Sequence, residues 1–242
     1  MSVCLTVVGC SPAWPNPGGA QSGYLVEGPG KLLLDCGPGV LARLRQENGW
    51  PRVEAIVITH FHLDHWGDLV PWVWGRMFGL GRDQAPPELW LPPGGTKELA
   101  AFGERFGTPW MFERSFRLNE YGEGEEFRCA GLGVTAFRVP HYGLLTFGLR
   151  VSNERRAMAY SGDSGPSEQL SELARDVDLF LCEATLERPE LDGEIRGHLT
   201  AEEAVEAFEA SGARRLLLTH RPSELALRNG LEQAHDGLSL EV

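Results

Sequence analysis

Long apolar runs are missing from this chain of 242 residues. The best candidate, Leu69 to Leu80, is too short to cross a bilayer and carries Arg76, so no transmembrane helix is expected. A basic leader is missing as well. Met1-Ser2-Val3-Cys4-Leu5 has no positive stretch, and no signal peptide is expected. Cysteine pairs of the CxxC type are absent. Cys4, Cys10, Cys36, Cys129 and Cys182 are odd in number and scattered, which argues against a disulfide framework and a thiolate zinc knuckle and fits a reducing cytoplasm. Positive charge is scarce: 22 basic against 34 acidic residues leave a net charge of −12. Long-range attraction for a polyanion is therefore weak, and extended nucleic acid is not the expected partner, a local basic patch aside. Of the basic residues only Lys31 and Lys97 are lysines, a bias of composition more than of mechanism. No low-complexity tract or short-period repeat is visible.

What is present is ordinary for a globular protein, with 42% hydrophobic and 23% charged residues. The length suits one large domain, read here as residues 1–242 with two similar halves. Alternation and β-branching predict strands at Val3 to Val8, Tyr24 to Glu27, Lys31 to Asp35 and Glu54 to Ile58. A helix is predicted from Val40 to Glu47 and another from Gly67 to Phe78, with a Pro- and Gly-rich loop from Asp83 to Gly95 that holds one strand, Glu88 to Leu91. From Phe112 to Tyr160 the pattern is mostly strand. Beyond it, helices at Ser167 to Ala174 and Ala201 to Ala210 alternate with strands at Asp178 to Cys182 and Arg215 to Leu218, and a last edge strand spans Leu238 to Val242. Thr200 followed by Glu203 is a capping box that fixes one helix start. Mixed β-runs with helices in both halves predict an α/β fold of four layers, two mixed sheets flanked by helices.

His60-Phe61-His62-Leu63-Asp64-His65 is the sharpest chemical signal, because three of the chain's seven histidines fall within six residues. On an extended segment His60 and His62 project to one side and can grip one metal, while Asp64 and His65 can face a second. Taken singly, His141, Asp163 and His220 are weak signals at strand ends. Ile56-Val57-Ile58-Thr59-His60 and Leu216-Leu217-Leu218-Thr219-His220 echo each other, each an apolar strand that delivers a histidine.

In that order, His60-x-His62-x-Asp64-His65, His141, Asp163 and His220 resemble the five metal motifs of the metallo-β-lactamase superfamily. The resemblance extends to its ribonuclease Z-like phosphodiesterase branch through Val8-Gly9-Cys10-Ser11-Pro12, Leu34-Asp35-Cys36-Gly37-Pro38-Gly39, Ser161 to Thr185 and Gly197-His198-Leu199-Thr200. It implies an αββα sandwich with two divalent ions: one on His60, His62 and His141, the other on Asp64, His65 and His220, with Asp163 bridging. Imidazole and carboxylate ligands suit zinc, with manganese or iron as alternatives. Asp64 would orient or deprotonate the attacking water. His198 would protonate the leaving oxygen, held by Glu183.

Only twenty-one residues separate His141 from Asp163, too few for the protruding arm with which the tRNA-processing enzymes clamp their substrate. Cys182 and Leu199 also depart from ribonuclease Z, and with the missing arm they bring the chain nearer to bacterial cyclic-nucleotide phosphodiesterases. The resemblance thus implies hydrolysis of a small phosphodiester such as a 3′,5′-cyclic nucleotide. A tRNA 3′ endonuclease, a thioester or lactone hydrolase, and a scaffold with a dead site are the alternatives.

Three weaker features remain. Trp66, Trp72, Trp74, Met77 and Phe78 read as a core or homodimer-interface helix before a wall for a base. Arg221 reads as a phosphate contact or an exposed ion pair. His235 has no role.

Overall fold

The computed structural model describes residues 3–46, 49–228 and 230–242. The first half runs β1 (Cys4–Gly9), β2 (Gly23–Glu27), β3 (Lys31–Leu34), α1 (Val40–Leu44), β4 (Ala55–Val57), α2 (Leu63–Trp66), α3 (Leu69–Phe78), β5 (Glu88–Leu91), α4 (Gly95–Arg105) and β6 (Arg117–Glu120). The second half runs β7 (Glu126–Cys129), β8 (Leu132–Val139), β9 (Thr146–Ser152), β10 (Ala157–Tyr160), α5 (Glu168–Leu173), β11 (Leu179–Glu183), α6 (Ala201–Ser211), β12 (Leu216–Thr219) and β13 (Ser239–Glu241). One sheet has the order β13-β1-β2-β3-β4-β5-β6 and the other β12-β11-β10-β9-β8-β7.

Side chains alternate across a strand, and here both faces are apolar. Leu32, Leu34, Ala55 and Val57 point between the sheets, where they meet Val134, Ala136, Leu179, Leu181 and Leu217. Their neighbours Leu33, Ile56 and Ile58 point the other way and pack with Val40 of α1, Trp72 of α3 and Leu99 of α4. Phe180, Cys182, Leu216 and Leu218 likewise turn outward to Leu170 and Leu173 of α5 and Ala204 of α6. The result is helix, sheet, sheet, helix. Each fully buried leucine or isoleucine contributes roughly 1.5–3 kcal/mol of transfer energy to it.

Strand direction places the chemistry. β8 and β10 are both antiparallel to β9, and β10, β11 and β12 are mutually parallel, so β8, β10, β11 and β12 all end on one edge. In the other sheet β3, β4, β5 and β6 are parallel. His141, Asp163, Glu183 and His220 follow or close strands of the first group, and His60 follows β4.

Most elements fall within two residues of their predicted bounds, and the Thr200–Glu203 capping box forms with both of its hydrogen bonds. Three corrections concern helices. The helix predicted for Val40 to Glu47 ends at Leu44, and Glu47 itself lies outside the described residues. The helix predicted from Gly67 is α3, which starts at Leu69, and Asp64 and His65, expected at the turn before it, ride instead on the separate short helix α2. Helix α4 had no predicted counterpart. Its two glycines lower helix propensity, and burial of Leu99 supplies what propensity lacks.

Candidate metal centre

His60 follows the apolar strand β4, and the chain then turns into α2, which carries Asp64 and His65 on one turn. That turn is pressed against the loop after β3. A Cβ at Gly37 would lie 1.9 Å from the Asp64 carbonyl oxygen, so only glycine permits the approach. Gly37→Ala is expected to push α2 off its seat and to lower metal content, as elemental analysis of the purified variant would read.

Two donor sets share one carboxylate. His60, His62, His141 and Asp163 offer ligand atoms within 4.8 Å of one another, and so do Asp64, His65, Asp163 and His220. Asp163 Oδ2 lies 3.9 Å from Nε2 of both His60 and His141, while Oδ1 lies 3.2 Å from His65 Nε2 and 3.6 Å from His220 Nε2. Asp64 Oδ2 is 3.4 Å from His65 Nε2 and 3.1 Å from His220 Nε2. Tetrahedral sites with bonds of about 2.0–2.1 Å have edges of about 3.3–3.4 Å, so these separations suit an ion in each set.

Burial makes the same point. His60 Nε2, His65 Nε2 and Asp163 Oδ1 are buried without a hydrogen-bond partner, which is costly for atoms with nothing to bind. Burial, together with the nearby histidines, pushes the His60 imidazole well below its ordinary range, toward the neutral form that ligates a metal. Burial alone would raise the Asp163 carboxyl, but the His220 and His65 imidazoles outweigh it and hold it ionised. These residues fit a pair of divalent ions.

Outer partners set each ring. Asp35 Oδ2 lies 2.7 Å from His65 Nδ1 and accepts from the Tyr160 hydroxyl at 2.9 Å, and Asp35 Oδ1 accepts the Thr59 amide at 2.8 Å. The Thr59 hydroxyl stands 3.0 Å from His60 Nδ1, and His141 Nδ1 donates to the Gly197 carbonyl at 2.6 Å. Such second contacts fix the tautomer that leaves the other nitrogen free for a metal. Asp35, Tyr142 and His220 adopt left-handed φ values of 58°, 48° and 52°, a conformation that costs a non-glycine residue roughly 1–2 kcal/mol. All three stand in or beside the centre.

Glu183 closes β11 fully buried. Its Oε1 accepts from the Ser164 amide at 2.9 Å and lies 2.8 Å from His198 Nδ1; its Oε2 accepts from the Thr185 amide and hydroxyl at 3.1 and 2.9 Å. Burial disfavours the His198 cation, but the Glu183 carboxylate overrides it and pushes the imidazole up to about 9. The His198 ring sits 5.0 Å from that of His141 and 5.8 Å from that of His220. An imidazole that favours its protonated form therefore stands at the edge of both donor sets.

The tertiary structure gathers every predicted ligand as well as Glu183 and His198. The weaker features turn out differently. Trp66 and Trp72 are buried among core residues, so they present no wall to a base, while Trp74 and Phe78 are exposed and stacked on each other. Among the described residues Arg221 makes no exposed ion pair. It is buried and donates to the Ala184 and Ala226 carbonyls at 3.0 and 2.7 Å. His235 is exposed and outside the centre. The residues that sequence reading passed over are Asp35, Thr59, Tyr142, Thr185 and Asp192. For Asp35 a signal existed, a charge closing the apolar run Leu32-Leu33-Leu34.

Residues 31–221 match the family model described as the beta-lactamase superfamily domain. An uncharacterized protein of Mycobacterium tuberculosis is 35% identical over 229 residues, covering 92% of this chain and 82% of that protein. The probable metallo-hydrolase YhfI of Bacillus subtilis is 26% identical over 224 residues, 90% of this chain and 86% of its own. The crystal structure of YhfI, described as a metallo-beta-lactamase fold protein, superposes with a TM-score of 0.86 over the whole of both chains. The ribonuclease Z of Archaeoglobus fulgidus is 24% identical over 241 residues, 78% of this chain and 77% of that enzyme.

Proposed function

The chain belongs to the beta-lactamase superfamily as a metallo-hydrolase related to ribonuclease Z, and from that premise we propose that it is a two-metal phosphodiesterase whose substrate is a small phosphodiester, a 3′,5′-cyclic nucleotide first among them. The observation that carries this reading is the Glu183–His198 pair beside the two donor sets. Hydrolysis of a diester expels an alkoxide, which needs a proton, and an imidazole held as a cation is suited to give one.

His60, His62 and His141 would hold one ion and Asp64, His65 and His220 the other, with Asp163 shared. Zinc is the proposed metal, on the chemistry of the donor set. When bound, such a pair polarises a phosphoryl oxygen and makes a water acidic enough to attack at neutral pH. Asp64 orients that water and is placed to take its proton. His198 donates from Nε2 to the leaving oxygen as the P–O bond breaks, while Glu183 holds Nδ1.

Size argues for a small substrate. The residues between His141 and Asp163 are taken up by a short loop and by β9 and β10, both paired within the sheet. A pocket of about 400 Å³ opens beside His62, lined by Phe61, Pro92, Pro93, Leu144 and Leu145, with Glu98 as its one carboxylate. It is large enough for a base whose phosphate sits over the metals, while Trp66 and Trp72 belong to the core, the first of the readings given to the Trp66–Phe78 helix. Leu145→Asp is expected to raise KM for cyclic AMP roughly tenfold, the order of one lost leucine contact, and to affect methyl p-nitrophenyl phosphate far less.

The deciding comparison is kcat/KM for cyclic AMP against an unprocessed tRNA and a thioester, on one metal-loaded preparation at one salt concentration. Efficient cyclic AMP hydrolysis is expected. Efficient tRNA 3′ cleavage with negligible cyclic nucleotide turnover would overturn the reading, and thioester hydrolysis alone would leave His198 without a task.

A further inference from the structure

We propose that Asp192 and Tyr142 form a latch that clamps the Arg196–His198 segment, and with it the proton donor, against the metal centre. The role given to the donor rests on the phosphodiesterase reading, whereas the latch itself rests on geometry. Asp192 ends a short 3-10 turn, Pro189–Asp192, and its side chain is 0% exposed. Its Oδ2 accepts from the Gly197 amide at 2.6 Å, the His198 amide at 2.9 Å and Arg196 Nε at 3.2 Å. Its Oδ1 accepts from the Tyr142 hydroxyl. Every neighbour donates, so the carboxylate is ionised, and these bonds outweigh the effect of burial to hold its pKa below the ordinary range.

The clamped segment touches both halves of the proposed chemistry. The Gly197 carbonyl receives His141 Nδ1, and His198 follows one residue later. Arg196 grips from the other side, donating to the His198 carbonyl at 3.0 Å and to both oxygens of Glu203 at 3.1 and 2.8 Å. Tyr142, next to the ligand His141, lays its ring over Gly197 so closely that a Cβ there would fall 2.5 Å from ring carbons. The same ring meets that of His198 at 5.5 Å.

Apolar packing does not do this work. Leu191, Gly193, Glu194 and Ile195 are exposed, with Leu191 at 55% and Ile195 at 68%. On the approach to His198, polar bonds to Asp192 and Arg196 and the one ring of Tyr142 hold a segment that its own side chains do not anchor. A general acid misplaced by about 1 Å loses on the order of 10²-fold in rate. Asp192 and Tyr142 are thus positioning residues, which touch the donor's backbone and ring and not the substrate.

The test compares Asp192→Ala, Asp192→Asn and Tyr142→Phe at saturating zinc, on cyclic AMP and on methyl p-nitrophenyl phosphate, whose leaving group needs little protonation. Asp192→Ala is expected to lower kcat for cyclic AMP by roughly 10²-fold with little change in KM, and to spare the nitrophenyl ester. Asp192→Asn should restore most of the rate, because its carbonyl oxygen still takes the three N–H donors while its amide faces the Tyr142 hydroxyl, which can accept. Tyr142→Phe should show the same leaving-group dependence at smaller size, and it decides the matter if Asp192→Ala does not fold. Equal losses on both substrates, or a loss confined to KM, would overturn the latch. Amide hydrogen exchange at Gly197 and His198, faster in Asp192→Ala and near wild type in Asp192→Asn, reads the latch without turnover. If the wild type cleaves no diester, the proposed reaction fails while this exchange result still judges the latch; unchanged exchange would sink it.

Discussion

His198→Ala is expected to retain both metals and to lose cyclic AMP turnover by roughly 10²–10⁴-fold, the span of a general acid. The magnitude follows from placement. Glu183 sits 2.8 Å from Nδ1 of the ring, and no other imidazole contacts that carboxylate by a hydrogen bond among the described residues. The loss should shrink toward tenfold or less for methyl p-nitrophenyl phosphate, because nitrophenolate departs without a proton. Glu183→Gln should follow the same pattern at smaller size, since a glutamine oxygen can still accept from Nδ1–H but no longer favours the cation. Equal losses on good and poor leaving groups would assign His198 to phosphate binding instead. Zinc content measured on the same preparations separates either result from simple loss of the centre.

Asp163→Ala is expected to empty both sites together, with turnover falling by roughly 10³-fold or more, as when a preorganised electrostatic contact to the transition state is lost. Its two oxygens face different triads, Oδ2 toward His60 and His141 and Oδ1 toward His65 and His220, so its removal takes one ligand from each. Asp64→Ala and His62→Ala each touch a single set and should leave the other able to bind. Elemental analysis after full reconstitution is the measurement, with about two metals per wild-type chain as the reference. One metal per wild-type chain, or an Asp163→Ala protein that keeps a full complement at one site, would remove the shared-carboxylate assignment.

Part of the proposed ligand set was legible because it stands where a local pattern breaks, whereas His141 and Asp163 were weak signals singly and entered only through the family resemblance. His60 and His220 close apolar runs of near-identical composition, and three histidines in six residues have no role in a core. The layered fold was legible for a similar reason. Strands apolar on both faces must be covered twice, and Thr200 and Glu203 signal a helix start within three residues. Such signals are short-range, so sequence alone carries them.

What surrounds the ligands was decided only by the tertiary structure. Asp35 reaches His65 across thirty positions, and Tyr142 reaches Asp192 across fifty. No periodicity encodes those distances, because they arise from which strands end on the same edge. The segment Trp66 to Phe78 makes the same point in reverse. Its sequence neighbours the metal motif, yet the packing of α2 and α3 buries Trp66 and Trp72 in the core, and the pocket beside His62 is walled by Pro92, Pro93, Leu144 and Leu145 from distant loops. Nearness along the chain names candidate ligands, but the direction in which a side chain leaves its helix, and the partner that awaits it, are set by packing.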